Sequence, residues 1–425
     1  MIAVERDTGS DQQASARPAP VRLTRRRLPY PFRAMLAICS DLDETPGVDT
    51  YLESLRFLNT TERTAMGTGA GLEVGNSLYF DMAPGQVSYW NADDRGRAAF
   101  RTLIRSGHID CLHSYGDTAV TRAHAARALD ELDRHGCRFE VWIDHAIAPT
   151  NLGADIMRGT GDVRGAAAYH ADLTCAHGIR FVWRGRVTSV TGQDAPRDVG
   201  TIFSPAHRAA STKTLAKEAT KGLLGRASDR SRYAMHATNR LLRPVSLRSG
   251  HAVEEFIRFN PHWGGVSCGD TADGLAEVLT EPMLEALAAR EGVGVLYTHL
   301  GKVSSRTEPF NAATRDALHR LAAHQAAGSI LVTTSRRLLG YCAAVRDLSF
   351  TASENRGTLA VEVRTAAGVS AADLQGLTFH TPATPARATL AINGAPPVSL
   401  VVNPPDDTGL RSVSLPWIRL AYPQL

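Results

Sequence analysis

The sequence predicts an α/β protein that combines a parallel barrel of the (β/α)7 type with a small all-β sandwich. Three observations predict this architecture. Short apolar segments alternate with helix-like segments up to about residue 345, closely spaced strands and turns follow, and 425 residues suffice for two or three domains. We therefore expect a disordered leader at 1–28, a catalytic barrel at 29–345 and a β-sandwich module at 346–425.

The barrel prediction depends on the regular order of its segments. The first strand-like segment, AMLAICS, ends before an acidic DLDET stretch, and YLESLRFLN has helical spacing. The segments that follow are NSLYFDM, RAAFRTLIRSG, IDCLHS, TRAHAARALDELDRHG, RFEVWIDH, IRFVWRG, EEFIRFNPH, PMLEALAAREG, GVGVLYTHLG, TRDALHRLAAHQAAGS and SILVTT. Strands alternating with helices indicate parallel βα units, and seven or more of them favour a closed or nearly closed barrel over an open sheet.

The two ends of the chain have different compositions. Residues 1–28 are polar, rich in Ala, Pro and Arg, and without periodicity, which is typical of a disordered segment. After residue 346 the segments LSFTAS, TLAVEVRT, LTFH, ATLAING and VSLVV alternate with Pro, Gly and Asn turns. This pattern predicts the sandwich.

Composition limits the possible partners and compartments. The chain has 47 Lys and Arg against 43 Asp and Glu, a net charge of +4, which gives no reason to expect nucleic-acid binding by the whole protein. The six cysteines are scattered without CxxC spacing, which favours free thiols in a reducing compartment. The sequence lacks both a long apolar stretch and a signal-peptide pattern, so we expect a cytoplasmic, bacterial protein.

A basic insertion interrupts the βα pattern at about 205–250. It carries ten Lys or Arg residues against two acids, Glu218 and Asp229. One interpretation is a solvated helical insertion. The other is a lid or dock for an anionic substrate, a carrier lipid or a membrane surface, because clustered cations concentrate anions.

Polar residues recur where the predicted strands end. In a parallel barrel these ends meet at one edge, which is where active sites are built. Taken singly, each histidine is more simply interpreted as a core residue. The recurrence of polar residues at so many strand ends, however, predicts one shared polar cleft. The residues are Asp41, Asp43, Asp81, His113, Asp144, His145, Arg184, His262 and His299.

Two spacings predict a metal site within this cleft. Asp41 and Asp43 lie two apart, so an extended chain projects both carboxylates to one side. His113 and Asp117 lie four apart and share a face if the chain turns helically after the strand. Asp43, His113 and Asp117 would then hold a divalent cation with open positions for water. Alternatively, Asp117 caps a helix that begins near Thr118.

Three motifs, LAICSDLDET, LHSYGD and VLYTHLG, resemble those of the polysaccharide deacetylase family, carbohydrate esterase family 4, within the deacetylase and glycosidase barrel superfamily. The resemblance covers residues 30–340 in organisation and implies a deacetylase-like (β/α)7 barrel. It implies that Asp41 is the catalytic base, that Asp43 and His113 bind the metal, and that His299 is the general acid. Asp117 stands where the family has its second metal-binding histidine.

The resemblance also implies a cofactor, with departures from the family pattern. Zinc is the expected metal, although an oxygen ligand at Asp117 favours a harder cation. Leu42 separates the two acids of the first motif, and the spacing that leads to His299 is one residue longer than in the family. We find no counterpart of the family's Arg-containing third motif or Asp/Trp-containing fourth motif.

The expected function is a metal-dependent hydrolase that removes an acyl group from an acylated saccharide or glycoconjugate. Two alternatives remain open: a metal-independent glycoside hydrolase that pairs Asp41 or Asp43 with Asp81 or Asp144, and a non-catalytic carbohydrate-binding protein. The C-terminal module either resembles an accessory domain of carbohydrate-active barrels or only stabilises the fold. The residues expected to contact substrate are Asp81, Asp144, His145, His170, Arg184, His262 and Trp263.

Overall fold

The computed structural model describes residues 19–41, 45–228 and 231–425. Its strands, in chain order, are β1 (Ala19–Pro20), β2 (Thr24–Arg25), β3 (Ala34–Ser40), β4 (Arg63–Thr64), β5 (Gly67–Thr68), β6 (Gly75–Leu78), β7 (Cys111–His113), β8 (Val141–Ile143), β9 (Phe181–Trp183), β10 (Val187–Thr188), β11 (Leu242–Ser246), β12 (Ala252–Phe256), β13 (Arg258–Phe259), β14 (Val293–Thr298), β15 (Ile330–Thr333), β16 (Ser349–Asn355), β17 (Thr358–Arg364), β18 (Thr378–Thr381), β19 (Arg387–Ile392), β20 (Val398–Ser399), β21 (Val401–Asn403) and β22 (Arg411–Ser414).

The helices lie between these strands. They are α1 (Val48–Asn59), α2 (Asp94–Ser106), α3 (Arg122–Arg134), α4 (Ala171–His177), α5 (Arg208–Gly225), α6 (Ala234–Thr238), α7 (Leu275–Val278), α8 (Glu281–Ala289), α9 (Ala312–Ala326) and α10 (Ser335–Arg346), with 3-10 turns at Val199–Ile202, Pro205–His207 and Ala371–Leu374.

The largest sheet is curled and mainly parallel. Its strand order is β10-β13-β14-β3-β6-β7-β8-β9-β12-β11, and β15 also pairs with β3. All of these pairings are parallel except that of β11 with β12. Only Ile257 separates β12 from β13, so the chain itself joins the two strands that lie next to the ends of the order. The predicted α/β class with a parallel sheet is confirmed, and the curl is consistent with an α/β barrel-like fold.

Burial of β3 explains how the sheet positions the site. All seven of its residues are buried, as expected for a parallel strand covered on both faces. Met35, Ala37 and Cys39 pack into one apolar cluster, whereas the alternate residues of the strand pack into another. The period of two therefore directs the next residue of the first row, Asp41, into the interior of the curled sheet.

The C-terminal module consists of two further sheets. Their strand orders are β1-β16-β17-β19-β20 and β2-β18-β22-β21, with antiparallel pairing except between β17 and β19. Val361 and Leu390 of the first sheet share an apolar cluster with Val413 of the second. Phe350 contacts Phe379 across the two sheets, with ring centroids 4.8 Å apart.

Residues 19–28, predicted to belong to a disordered leader, pair with strands of the C-terminal module. Residues 1–18 lie outside the described residues, but β1 pairs with β16 and β2 pairs with β18. Leu23 and Leu28 are buried against the module. Residues 19–28 are therefore ordered, because they supply backbone partners to the strands of the module. Strands of two residues carry no detectable periodicity, which is why the sequence pattern missed them.

The basic insertion is partly helical. It contains α5 and α6, and β11 then joins the large sheet antiparallel to β12. Over residues 19–41, 45–228 and 231–425, no helix has both the length and the apolar character that crossing a membrane requires.

Candidate active site

A buried ion pair lies at the centre of the candidate site. Asp41 follows β3, and both of its carboxylate oxygens accept hydrogen bonds from Arg258 at the start of β13, at 2.9 and 3.1 Å. Arg258 is fully buried and lies over the ring of Trp183, with 4.2 Å between its guanidinium carbon and the ring centroid. Bidentate pairing of this kind fixes the orientation of the carboxylate as well as its charge.

Two histidines flank the carboxylate of Asp41. Nδ1 of His113, the last residue of β7, lies 3.9 Å from Oδ1, and Nε2 of His299, just after β14, lies 3.8 Å from Oδ2. Burial by itself would raise the pKa of Asp41, but the charges of Arg258, His113 and His299 hold that pKa well below its usual range. Asp41 is therefore an anion throughout the physiological pH range.

His299 forms a dyad with an acid from a neighbouring loop. Its Nδ1 lies 3.0 Å from Oδ2 of Asp270, and its backbone N–H donates to the Asp270 carbonyl at 2.5 Å. The hydrogen bond from His299 is the main cause that lowers the pKa of Asp270. A carboxylate at Nδ1 stabilises the imidazolium and directs Nε2 towards Asp41.

The ring of His113 is held on both sides. Its Nδ1 is 3.1 Å from the Ser77 hydroxyl, and its Nε2 is 3.4 Å from the Tyr79 hydroxyl. The rings of His113 and Tyr79 are stacked with centroids 4.2 Å apart. A third ring, His145, lies edge-on to His113 at 5.0 Å, so two imidazoles are adjacent at this edge of the sheet.

The helical turn on which the predicted pairing of His113 with Asp117 depended is absent. Ser114, Tyr115 and Gly116 all have positive φ angles, of 47°, 62° and 103°, so the chain does not turn helically after the strand. A side chain at Gly116 would place Cβ 2.0 Å from the Asp81 carbonyl oxygen, so this turn requires glycine. Strained backbone of this kind is characteristic of functional sites.

Asp117 instead accepts a hydrogen bond from Nδ1 of His145 at 2.7 Å. The alternative interpretation is also wrong, because α3 begins at Arg122 with Thr121 as its N-cap, four residues after Asp117. Asp117 therefore orients His145, and the lone pair of that imidazole is on Nε2 when Nδ1 carries the proton.

The predicted metal site is only partly covered by the described residues. Asp43 lies outside them, and among the residues that are described no group of three or more His, Cys, Asp or Glu side chains could hold a metal ion. Asp117 lies 2.7 Å from Nδ1 of His145. The two imidazoles that lie adjacent at this edge are those of His113 and His145, and a carboxylate, Asp117, holds the second of them.

Three residues predicted to contact substrate have hydrogen-bond or ion-pair partners within the protein. Asp81 pairs with Arg127 on α3. Asp144 is fully buried and accepts hydrogen bonds from the Trp142 indole at 2.7 Å and from the backbone of Leu152 at 2.8 Å. Burial raises the pKa of Asp144 to about 7. These contacts connect the ends of the strands to a helix and to a loop. A polar residue at a strand end faces either a cleft or the chain segments packed around that strand end.

His170, the third of these residues, occupies the N-cap position of α4 and is fully buried. Its Nε2 lies 2.7 Å from the Thr150 carbonyl and its Nδ1 lies 2.8 Å from the Thr174 hydroxyl. Both ring nitrogens are thus used within the core. Burial lowers the pKa of His170 to about 4, so the ring is neutral at physiological pH.

Three other predicted contacts lie in separate clusters. Arg184 donates to Glu255 at 2.9 Å, and Glu255 also binds two further arginines. Nε2 of His262 lies 2.8 Å from Glu277, and Trp263 stacks on His207 with centroids 3.7 Å apart. No contact joins these three residues to Asp41 among the hydrogen bonds and ion pairs of the described chain.

Two residues of the site were missed in the sequence. Arg258 stands between apolar residues in EEFIRFN, and a charged residue within a buried strand was a signal that it has a buried partner. Asp270 lies in the loop segment SCGDTAD, where its spacing to His299 carries no pattern. Only the folded chain brings it to the imidazole.

The fold and the site together define an α/β protein with a buried acid–base cluster at the carboxyl edge of a curled parallel sheet. Comparison of the chain with protein-family models, with curated proteins and with solved structures finds no match.

His170 leads to a prediction about acid stability. Its pKa is about 4 in the folded protein and about 6.5 in the unfolded chain, so the unfolded state binds more protons between these values. We expect the free energy of unfolding to fall as pH decreases from 6.5 to 4, with this imidazole contributing up to about 3 kcal/mol. Urea titrations across this range should show a shallower pH slope for His170→Gln than for wild type.

The matched control is His319→Gln, which replaces an exposed histidine on α9. It removes no buried imidazole, so its slope should follow wild type. Equal slopes for all three proteins would contradict the assignment of a neutral, buried His170.

Proposed function

We propose that this chain is a hydrolase of the polysaccharide deacetylase type, built on a deacetylase-like (β/α)7 barrel, which removes an acyl group from an acylated saccharide or glycoconjugate. The observation that carries the proposal is the Asp41 carboxylate, held by Arg258 between the imidazoles of His113 and His299. The saccharide class is supported by the resemblance of the three motifs to that family.

Asp41 is the proposed base. The Arg258 pair keeps it ionised and orients both of its oxygens, so it is ready to accept a proton from an attacking water. A carboxylate with a depressed pKa is nevertheless a weak base, and it functions best with a water that is itself acidified. This requirement supports the inclusion of a divalent cation in the proposal.

Zinc or a harder divalent cation is the proposed cofactor. Asp43, His113 and His145 would hold it, with His145 in the position predicted for Asp117 and with Asp117 orienting His145. A cation bound there would lower the pKa of a bound water and polarise the acyl carbonyl.

His299 is the proposed acid. Asp270 favours its protonated form and holds Nδ1, so Nε2 is the nitrogen that delivers a proton to the departing alcohol or amine. The 3.8 Å between Nε2 and Asp41 places the acid beside the base. The reacting bond would lie next to both groups, on the side reached from the carboxyl edge of the sheet.

A glycoside hydrolase is less well supported. That mechanism requires a second carboxylate across the scissile bond from the first. The two partners considered for Asp41 are engaged elsewhere, Asp81 with Arg127 and Asp144 with Trp142 and the backbone of Leu152.

The test is acetate release from N-acetylated and O-acetylated oligosaccharides by protein supplied with zinc, cobalt or manganese. We expect release by wild type and by Asp81→Asn, a control outside the site, and loss of release after exhaustive chelation. Mass spectrometry of the native protein should find about one divalent ion per chain. Cleavage of glycosidic bonds that survives EDTA would identify a glycosidase, and the absence of any turnover with saccharide binding intact would identify a binding protein.

The His299–Asp270 dyad leads to a separate prediction. Asp270→Asn removes the charge that stabilises the imidazolium but leaves a hydrogen-bond acceptor, so we expect kcat to fall about a hundredfold with little change in KM. The alkaline limb of the pH profile should move to lower pH, because the imidazolium loses its proton more readily. A wild-type pH profile with reduced kcat would instead indicate a structural role for Asp270.

A further inference from the structure

The outer face of α5 is an unusual surface for a solvated helix. We define the α5 outer face as the exposed residues of this helix that lie opposite its buried side, namely Ala209, Lys213, Ala216, Lys217, Thr220, Leu223 and Leu224. Leu223 is 65% exposed and Leu224 is 50% exposed. Two adjacent exposed leucines at one end of a basic surface indicate contact with an apolar phase.

The charge of this region has one sign. From residue 199 to residue 228 the sequence contains five Lys or Arg residues and a single acid, Glu218. Glu218 points inward, is buried, and bonds to Lys221 at 2.6 Å and to the Thr188 hydroxyl at 2.9 Å. The Glu218 carboxylate is therefore paired inside the protein. The α5 outer face presents lysines and includes no acidic residue.

The inner face of α5 attaches the helix firmly to the rest of the fold. Ser211, Thr214, Glu218, Gly222 and Gly225 are buried at helical spacing. The Thr214 hydroxyl donates to the carbonyl of Trp263 at 2.9 Å, in the loop that follows β13. This loop leaves β13 at its carboxyl end, and β13 is parallel to β14, which His299 follows, so α5 lies beside the sheet edge that carries the candidate site.

We propose that the α5 outer face docks the protein on an anionic lipid bilayer. Lys213 and Lys217 bind the lipid headgroups, and Leu223 and Leu224 insert below them. Docking in this way brings the carboxyl edge of the curled sheet close to the membrane surface. The proposal concerns binding and is independent of the reaction assigned to the site.

The test is co-sedimentation of the full chain with vesicles of phosphatidylcholine containing about 30 mol % phosphatidylglycerol, compared with phosphatidylcholine alone. We expect the wild-type protein to bind the anionic vesicles at least about tenfold more tightly, and the binding to weaken as salt increases. Lys213→Glu/Lys217→Glu and Leu223→Glu/Leu224→Glu should each reduce that binding about tenfold or more.

The matched control is Leu410→Glu, which makes the same change at a 48% exposed leucine of the C-terminal module and should bind as wild type. Circular dichroism melts would confirm that the variants are folded, as expected for exposed positions. Equal binding to both vesicle types, or an equal loss in the control, would overturn the proposal. Loss in the lysine variant alone, with the leucine variant unchanged, would identify a general polyanion site and would also overturn it.

Discussion

Asp41→Asn is expected to lower kcat about a thousandfold while leaving KM within a few-fold of wild type. The change keeps the shape of the side chain and removes the group that accepts the proton, and general-base catalysis contributes effects of about this size. The measurement is acetate release under saturating substrate.

This variant needs a control for folding, because it leaves the Arg258 charge buried without its partner. Thermal unfolding and tryptophan fluorescence should show a folded but less stable protein, since Trp183 lies directly against the guanidinium. Asp81→Asn is the matched substitution, an aspartate at a neighbouring strand end whose partner is Arg127. Turnover in Asp41→Asn within tenfold of wild type would contradict the role of Asp41 as base.

Arg258→Met is expected to destabilise the fold by about 3 to 5 kcal/mol, the usual cost of leaving one charge of a buried pair without its partner. Asp41 is 3% exposed and would lose both hydrogen bonds that hold its carboxylate. The free energy of unfolding from urea titration measures this cost.

The double variant Asp41→Leu/Arg258→Met separates loss of the pair from loss of packing. Both charges are then absent, and replacement of a buried pair by apolar residues of similar volume is often neutral or stabilising. We expect it to be more stable than Arg258→Met and to have no turnover. A double variant at least as unstable as Arg258→Met would show that packing around Trp183, rather than charge, determines the effect.

The sequence located the main groups of the candidate site but not their pairing. Asp41 and His299 were identified because each follows a buried strand, and the structure brings both to one carboxyl edge. His113 was identified in the same way. By contrast, the pairing of His113 with Asp117 depended on a helical turn that the left-handed backbone at Ser114 and Tyr115 prevents.

Position at a strand end proved an insufficient signal for the site. Asp144 accepts hydrogen bonds within the core, and Asp81 pairs with a helix. A polar side chain at a strand end faces either the interior of the sheet or the loop that follows the strand. Which of the two it faces depends on the side-chain rotamer and on the path of that loop. Neither of these is encoded in the spacing of residues along the chain.

The sequence by itself determined the α/β class, the parallel pairing and the placing of polar residues at the carboxyl edge, because hydrophobic periodicity and strand alternation are local properties. The tertiary structure alone decided which charges meet. Arg258 lies 217 residues from Asp41 in the chain, and Asp270 reaches His299 from a separate loop. Partners that are distant in sequence are selected by the curl of the sheet and by the high cost of burying a charge alone, and both are properties of the whole fold.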